Sequence, residues 1–386
     1  MTDNGLYKFF LNGILQLASE PAATIWGVSE WEDRLFFHSY LNGLFYWEEG
    51  EWKNIPNTHS NGELFPGRAI SSNSHHFVPA WDGIFAVDKN FDTYFLETDR
   101  FAEGLYFDSL TNELIAADEK KLYVFDAENL DQIGWFPLPS KAIRVGIFSI
   151  KPSGVKLWLA GPGGVVRFNR VTEKFETFTL SGANLPCKSA TNIFIDEWGE
   201  TWATGNCGLM WWNADKAQFE LMDGFDTNSK LVDMIDLGEG RYLISGNKEL
   251  FTVEILRENH SNSRPIGLRI LKEFNQYNGF DGIKPCLTGF FRDSNNQIWV
   301  PTATGTYLVD PQMFNFEMSE AELKLTSIDV HRFLLTVKKI LYTNCLLEKT
   351  MRMWGLIWYP STGREIQDFS TAFLMGVNGA FLSGTS

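Results

Sequence analysis

The sequence predicts an all-β fold: a seven-bladed β-propeller of four-stranded antiparallel blades, followed by a short irregular C-terminal tail. Three observations carry this expectation. A turn-centred pattern recurs along the chain about every forty residues. Each unit breaks into short runs rich in Phe, Trp, Tyr, Val and Ile, bounded by Gly, Asn and Asp. No unit contains a ten-residue helical stripe with caps.

The stretch DEWGETWATGNCGLMWW (196–212) shows the repeat most clearly. DSNNQIWVPTATGTYLV (293–309), SGVKLWLAGPGGVVRF (153–168) and DRLFFHSYLNGLFYW (33–47) repeat it, and weaker copies lie at 75–87, 112–125 and 239–253. The residue opening the third strand is Gly43, Gly83, Lys121, Gly164, Gly208, Glu249 and Gly305, at steps of 40, 38, 43, 44, 41 and 56. In the clearest unit NIFID (192–196), TWAT (201–204), LMWW (209–212) and FELM (219–222) read as strands A to D of a meander. Strand A is expected to begin near 24, 67, 104, 144, 191, 231 and 287, which places the propeller at 20–317.

The long last step is explained by RENHSNSRPIG (257–267), read as an exposed loop between strands C and D of the sixth unit. Residues 1–19 read as a partial blade or closing hairpin, with 5–19 pairing at the ring closure beside the blade of 287–317 and an eight-bladed ring as the alternative. Trp158, Trp202 and Trp299 share one place in strand B. A single four-stranded sheet cannot cover its own faces, so these three are expected to be inter-blade core. Cys187 and Cys207 stand symmetrically about the A–B turn of the fifth unit. A disulfide is one reading of that symmetry, and two separate loop thiols is the other.

Composition narrows the function. The 386 residues carry a net charge of −15, which repels nucleic acid backbones. No run of eighteen apolar residues predicts a membrane span, and MTDNGLYKFFLNG lacks the order of a signal peptide. The four cysteines form no CxxC pair, and GxSxG, P-loop, HExxH and GxGxxG patterns are all missing. No catalytic residue, metal ligand or cofactor is therefore assigned.

Propellers bind at the face where B–C turns meet blade-to-blade loops. The B–C turns offer Tyr40, Trp81, Asp82, Lys120, Asn206, Asn247 and Thr304. The blade-to-blade loops add Asn184, Lys188, Tyr277 and Asn278. Amides beside an aromatic suit the hydroxyls and apolar ring faces of a sugar. His75 and His76 read as a surface pair without metal. Asp82, Asp118 and Glu119 are the only acids at the B–C turns, a thin basis for a lyase or glycosidase. A protein-interaction scaffold is the third reading.

The pattern of Asp196, Gly199, Trp202, Thr204, Gly208 and Leu209, repeated as Asp293, Trp299, Thr302 and Gly305, resembles the two-component regulator propeller repeat. FNQYNGFDGIKPCLTGFFRDSNNQIWVPTATGTYLVDP (274–311) looks like the last such repeat before a triple-tyrosine (Y_Y_Y) domain, an Ig-like domain that LKLTSIDV (323–330) would open. The resemblance spans about residues 5 to 330. It implies the non-catalytic sensor region of a bacterial periplasmic receptor, anchored in the membrane and dimeric through a downstream domain. Its ligand would be a carbohydrate fragment or another small molecule, with no nucleic acid partner. Residues 318–386 would then be the start of a truncated Ig-like domain or a disordered tail. The blade pattern stops after Pro311, so the chain reads as a segment of a longer protein whose reading frame shifts beyond about residue 331.

Overall fold

The computed structural model describes residues 7–9, 14–17, 25–40, 42–58, 64, 67–139, 146–179, 184–225, 230–258, 264–277, 279–282, 285 and 289–314, with strand segments of the tail between 323 and 385. The chain divides into two compact units, Met1–Pro311 and Gln312–Ser386.

The first unit is the seven-bladed propeller that the sequence predicts. Its N-terminal hairpin is β1 (Tyr7–Phe9) and β2 (Ile14–Leu17). Blade one is β3 (Ile25–Trp31), β4 (Arg34–Ser39), β5 (Gly43–Glu48) and β6 (Glu51–Ile55). Blade two is β7 (Ile70–Ser71), β8 (His75–Ala80), β9 (Gly83–Asp88) and β10 (Thr93–Glu97). Blade three is β11 (Gly104–Asp108), β12 (Glu113–Ala117), β13 (Lys121–Asp126) and β14 (Gln132–Pro137). Blade four is β15 (Ser149–Ser153), β16 (Lys156–Gly161), β17 (Gly164–Asn169) and β18 (Lys174–Phe178). Blade five is β19 (Ala190–Ile195), β20 (Thr201–Gly205), β21 (Gly208–Asn213) and β22 (Gln218–Leu221). Blade six is β23 (Asp233–Gly238), β24 (Arg241–Ser245), β25 (Leu250–Arg257) and β26 (Pro265–Phe274).

The seventh blade differs from the sequence reading. It takes only β27 (Phe291–Arg292), β28 (Ile298–Thr302) and β29 (Gly305–Val309) from its own segment. Its sheet runs β1-β2-β29-β28-β27, so the N-terminal hairpin supplies the fourth strand and a fifth. The hairpin pairs at the ring closure with the blade of 287–317, as expected, and completes its sheet; it is not a half-blade of an eighth unit. The insertion is also shorter than predicted. Arg257 still belongs to β25, and Pro265, Ile266 and Gly267 belong to β26, so the extra length builds a long hairpin.

The repeat motif has a direct physical cause. Asp196 Oδ1 accepts the backbone N–H groups of Trp198 (3.1 Å) and Glu200 (2.8 Å), which shapes the A–B turn. Its Oδ2 accepts the Trp202 indole N–H at 2.9 Å. Asp293 does the same with Asn295 (3.0 Å), Gln297 (2.8 Å) and the Trp299 indole (2.9 Å). One carboxylate thus fixes both a turn and a core tryptophan. The Gly at the start of strand C answers to crowding. A Cβ on Gly43 or Gly164 would lie 2.3 Å or 2.4 Å from a strand-D carbonyl oxygen, and their φ angles are +84° and +138°.

Neighbouring blades bury each other's faces. Trp202 is fully buried and packs with Met234, Tyr242 and Ile244 of blade six. Across the closure, Trp299 meets Phe37 of blade one edge-on at 5.4 Å. Charges join blades as well. Arg257 of blade six reaches Asp196 (3.2 Å) and Glu200 (2.7 Å) of blade five and covers the Trp198 ring at 4.2 Å. Burial raises the Glu200 pKa against the pull of Arg257. Arg170, just beyond β17, pairs with Asp108 and Glu113 of blade three in the same way.

Cys187 and Cys207 are disulfide-bonded, with Cα atoms 5.5 Å apart. His75 and His76 are not a surface pair: both are buried in β8. His76 bonds Ser29 Oγ and Ser71 Oγ, each at 2.9 Å, and stacks on Trp31 and Phe36. His38 shares Ser29 at 2.7 Å.

The second unit holds two three-stranded sheets and one two-stranded sheet among its described residues. The first sheet joins β30 (Leu323–Lys324), β33 (Lys339–Tyr342) and β34 (Cys345–Leu347). The second joins β31 (Ser327–Asp329), β32 (Leu334–Val337) and β35 (Met351–Arg352). The third pairs β36 (Thr371–Met375) with β37 (Phe381–Thr385). LKLTSIDV, read as one short strand, contributes β30 and β31 to different sheets.

Two outcomes follow from the packing. Trp202→Ala should destabilise the propeller by roughly 3–5 kcal/mol through a core cavity, read from urea unfolding. The second concerns pH. Burial holds the His76 pKa down at about 3 and the His38 pKa well below the usual 6.5. The unfolded chain protonates both below that usual value while the folded chain does not. Stability is therefore full above it and falls as pH drops, for His76 down to about pH 3 and by up to about 1.4 kcal/mol per pH unit, with His38 acting in the same direction. His76→Gln should flatten that slope between pH 6 and 4 in the same assay, whatever its effect at neutral pH.

Candidate binding site at the propeller axis

Strand direction alternates within a blade, so B–C turns and D–A loops share one face. The A–B and C–D turns occupy the other. Strand A of each blade lines the axis, and its first residues stand at the B–C face. Polar side chains from several blades gather there.

Asp233, the first residue of β23, is their hub and is 1% exposed. Its Oδ1 accepts the Met234 N–H at 2.8 Å and the Asn192 amide of blade five. Its Oδ2 accepts the Phe290 N–H at 2.8 Å and Arg68 Nη2 at 3.4 Å. Arg68 also donates to the Phe290 carbonyl at 2.9 Å. One carboxylate thereby ties together the inner strands of blades five and six and the segments leading into blades two and seven.

Beside this hub lies a small polar recess lined by Arg68, Glu103, Ser149, Lys151 and Asn192. Lys151 sits in β15, densely surrounded by protein. Burial and then the Arg68 charge lower its pKa to about 7, against the pull of Asp233. Glu103 is 2% exposed, and burial raises its pKa well above the usual carboxyl value. Arg68 Nε, Glu103 Oε2 and Asn192 Oδ1 face no hydrogen-bond partner among the described residues. The axis thus offers donors and acceptors in a setting that titrates near neutral pH.

The residues predicted from sequence lie around the rim of this face, one or two to a blade. Trp81 is 40% exposed and leans on Phe101 at 5.6 Å. Tyr40 has one ring face covered by Trp26 at 4.8 Å. Asp82, Lys120, Lys188 and Asn247 are exposed, and Tyr277 is fully in solvent. Three others serve the scaffold. Asn184 Oδ1 accepts the Thr179 N–H at 2.9 Å, Asn206 Oδ1 accepts the Ser189 N–H at 3.1 Å, and Thr304 Oγ1 donates to the Asp281 carbonyl at 3.3 Å. Asn278 lies outside the described residues. Neither the axial recess nor the cleft on the opposite face is lined by these positions. Asp118 is consumed by its turn: it accepts the Lys120 and Lys121 N–H groups and the Tyr123 hydroxyl.

A separate cleft of about 490 Å³ opens on the opposite face. It runs from the A–B turn of blade four, past the turns of blade five, to Arg264 of blade six. Trp158, Trp211 and Trp212 are in its wall. Among the described residues, no group of three or more His, Cys, Asp or Glu side chains is arranged to hold a metal. No helix among them is long and apolar enough to cross a membrane.

The hub makes a mutational claim. Asp233→Ala strands Arg68, Asn192 and the Phe290 N–H together, and should cost about 3 kcal/mol or more in urea unfolding. Asp233→Asn, which keeps an acceptor, should cost less.

No family model and no curated protein matches the sequence. Solved structures resemble the fold. The extracellular domain of the putative hybrid two-component system BT4673 of B. thetaiotaomicron is 15% identical, with a TM-score of 0.56 over 80% of this chain and 40% of that one. The corresponding domain of BT3049 from the same organism is 14% identical, with a TM-score of 0.59 over 94% and 50%. Streptogramin B lyase matches at 13% identity and a TM-score of 0.57, over 76% of this chain and 95% of the lyase. The chain therefore spans half or less of the length of the two sensor domains, and these likenesses establish a shared propeller architecture.

Proposed function

We propose that this propeller is the non-catalytic, ligand-binding part of a bacterial periplasmic receptor that signals through a two-component system. The observation that carries the proposal is the axial recess of about 10 Å³, room for one water or one ligand hydroxyl, where polar atoms without protein partners are held between strands of several blades beneath the exposed rim. Such atoms favour a ligand that supplies complementary hydrogen bonds. The likeness to the extracellular domains of two-component systems supports a sensory use. The rim residues Trp81, Asp82, Lys120, Lys188, Asn247 and Tyr277 are exposed around the same face and would contact a larger ligand.

Hydroxyl-bearing ligands fit this setting best, and we assign the ligand to carbohydrate breakdown fragments. Glu103, whose pKa burial raises, and Asn192 Oδ1 both offer an oxygen to a ligand hydroxyl. A lyase or glycosidase reading would need a second free carboxylate near the first, and Asp118 is already committed to its turn.

A thermal-shift screen of neutral mono- and disaccharides tests the proposal. A sugar at a hundred times its dissociation constant should add about 2.7 kcal/mol of stability. Lys151→Met and Glu103→Gln should remove that shift. A sugar-dependent shift that survives both variants would place the ligand elsewhere, and turnover of the sugar would favour an enzyme.

A further inference from the structure

The cleft that runs from blade four over the outer turns of blade five to blade six has a one-sided hydrogen-bonding character. Lys156 lines it from the start of β16 and has no carboxylate partner among the described residues. Arg167 lines it from β17, its guanidinium 4.9 Å from the Trp158 ring centre and 5.0 Å from that of Trp212. Glu176 pairs with Arg167 Nη2, while Nε has no partner among the described residues. Trp211 is 8% exposed, and its indole N–H also has none. Arg264 stands at the far end, 5.5 Å over the Trp211 ring and 3.0 Å from Glu220.

Lys156 at the cleft mouth, with the Arg167 Nε and Trp211 indole N–H buried in its wall, thus lack acceptors among the described residues. The acids of the cleft do not balance them. Glu200 is engaged by Arg257 at 2.7 Å, which leaves only Asp215, exposed at the C–D turn. Donors without acceptors call for a ligand rich in acceptors. The volume of about 490 Å³ falls in the range of small-molecule sites, and the tryptophans supply apolar walls.

We propose that this cleft is a second binding site, for a sugar-sized ring bearing an anionic group, a carboxylate or a sulfate. Lys156 and Arg167 recognise the anion through charge-assisted hydrogen bonds, and Trp211 donates to a ring oxygen or hydroxyl. The site lies on the face opposite the axial recess and does not depend on that recess taking a ligand.

Isothermal titration calorimetry with glucuronate, glucose 6-sulfate and glucose tests the assignment. At least one acidic sugar should bind while glucose does not, and the preferred one identifies the anion. Lys156→Gln should weaken that binding by about tenfold or more, as the loss of one charge-assisted bond implies, and Lys156→Glu should abolish it. Both are surface changes, and an unaltered melting temperature confirms that they fold. Lys151→Met, at the axis, should leave acidic-sugar binding intact, so failure of the axial reading stays distinguishable. Equal affinity for glucose overturns the proposal. So does the absence of binding by both acidic sugars, or binding that Lys156→Glu leaves unchanged.

Discussion

Ring closure is the constraint on which the rest of the structure depends. It is made by the pairing of β2 with β29, in the register Ile14 with Val309, Leu15 with Leu308 and Gln16 with Tyr307. Every blade relies on two neighbours to bury its faces, so an open ring would expose one face of blade one and one of blade seven. It would also leave the edge of β29 unpaired. Closure puts Leu15, Leu17 and Trp299 into one cluster with Ile25, Val28 and Phe37 of blade one. Glu30 then accepts the Ser294 N–H and hydroxyl, both at 2.6 Å, at the outer turns. The first strands of the chain thereby hold the last, and the axial residues keep their spacing only while they do.

A second device is repeated with variation. In blades five and seven the A–B turn aspartate binds two turn N–H groups and a tryptophan indole. Blade three has no tryptophan there. Its Asp108 accepts the Leu110 N–H at 2.9 Å and turns its other oxygen to Arg170 of blade four. Asp196 supports both arrangements, since Arg257 of blade six reaches the same Oδ2 as the indole. In blades three, five and seven the turn carboxylate is therefore the shared element, and what satisfies its second oxygen is exchangeable. This is why the blade pattern persists in 104–137 after the tryptophan and glycine have gone.

Features that recur at one period were legible in the sequence. The strand order of blade five, the burial of Trp202 and Trp299, and the closeness of Cys187 and Cys207 all follow from symmetry within a repeat. Features that depend on distant segments were not. The leftover N-terminal hairpin was legible as a closing element beside blade seven, but nothing local in Ile14–Leu17 tells that it takes the place of that blade's fourth strand against Gly305–Val309. His76 read as a surface residue because two adjacent histidines look polar. Its burial depends on Ser29, one blade away, and on Ser71 in the next strand. The axial recess escaped for a related reason. Blades two to five and the segments leading into them give it one or two polar residues each, such as Lys151 in SIKPS, and no single unit shows a cluster. The only available signal was a lone charge on an inner strand that needs apolar residues for packing.

The stretch 196–212 raises the question of whether repeated aromatics are core or site, and the structure answers it strand by strand. Trp202 in strand B faces blade six and is sealed, its indole spent on Asp196. Trp211 lies opposite it in strand C and shares that face, but it is far enough out to reach the cleft with its N–H unspent. Trp212 turns to blade four and packs against Trp158 at 5.1 Å. Distance from the axis separates the roles. Inner strands are enclosed by neighbours on both sides, whereas the gap between blades widens outward and leaves outer aromatics partly bare. A propeller built from near-identical repeats can therefore acquire a binding cleft without altering its core. Substitution in strand C and its turns is enough, while strand B continues to hold the ring.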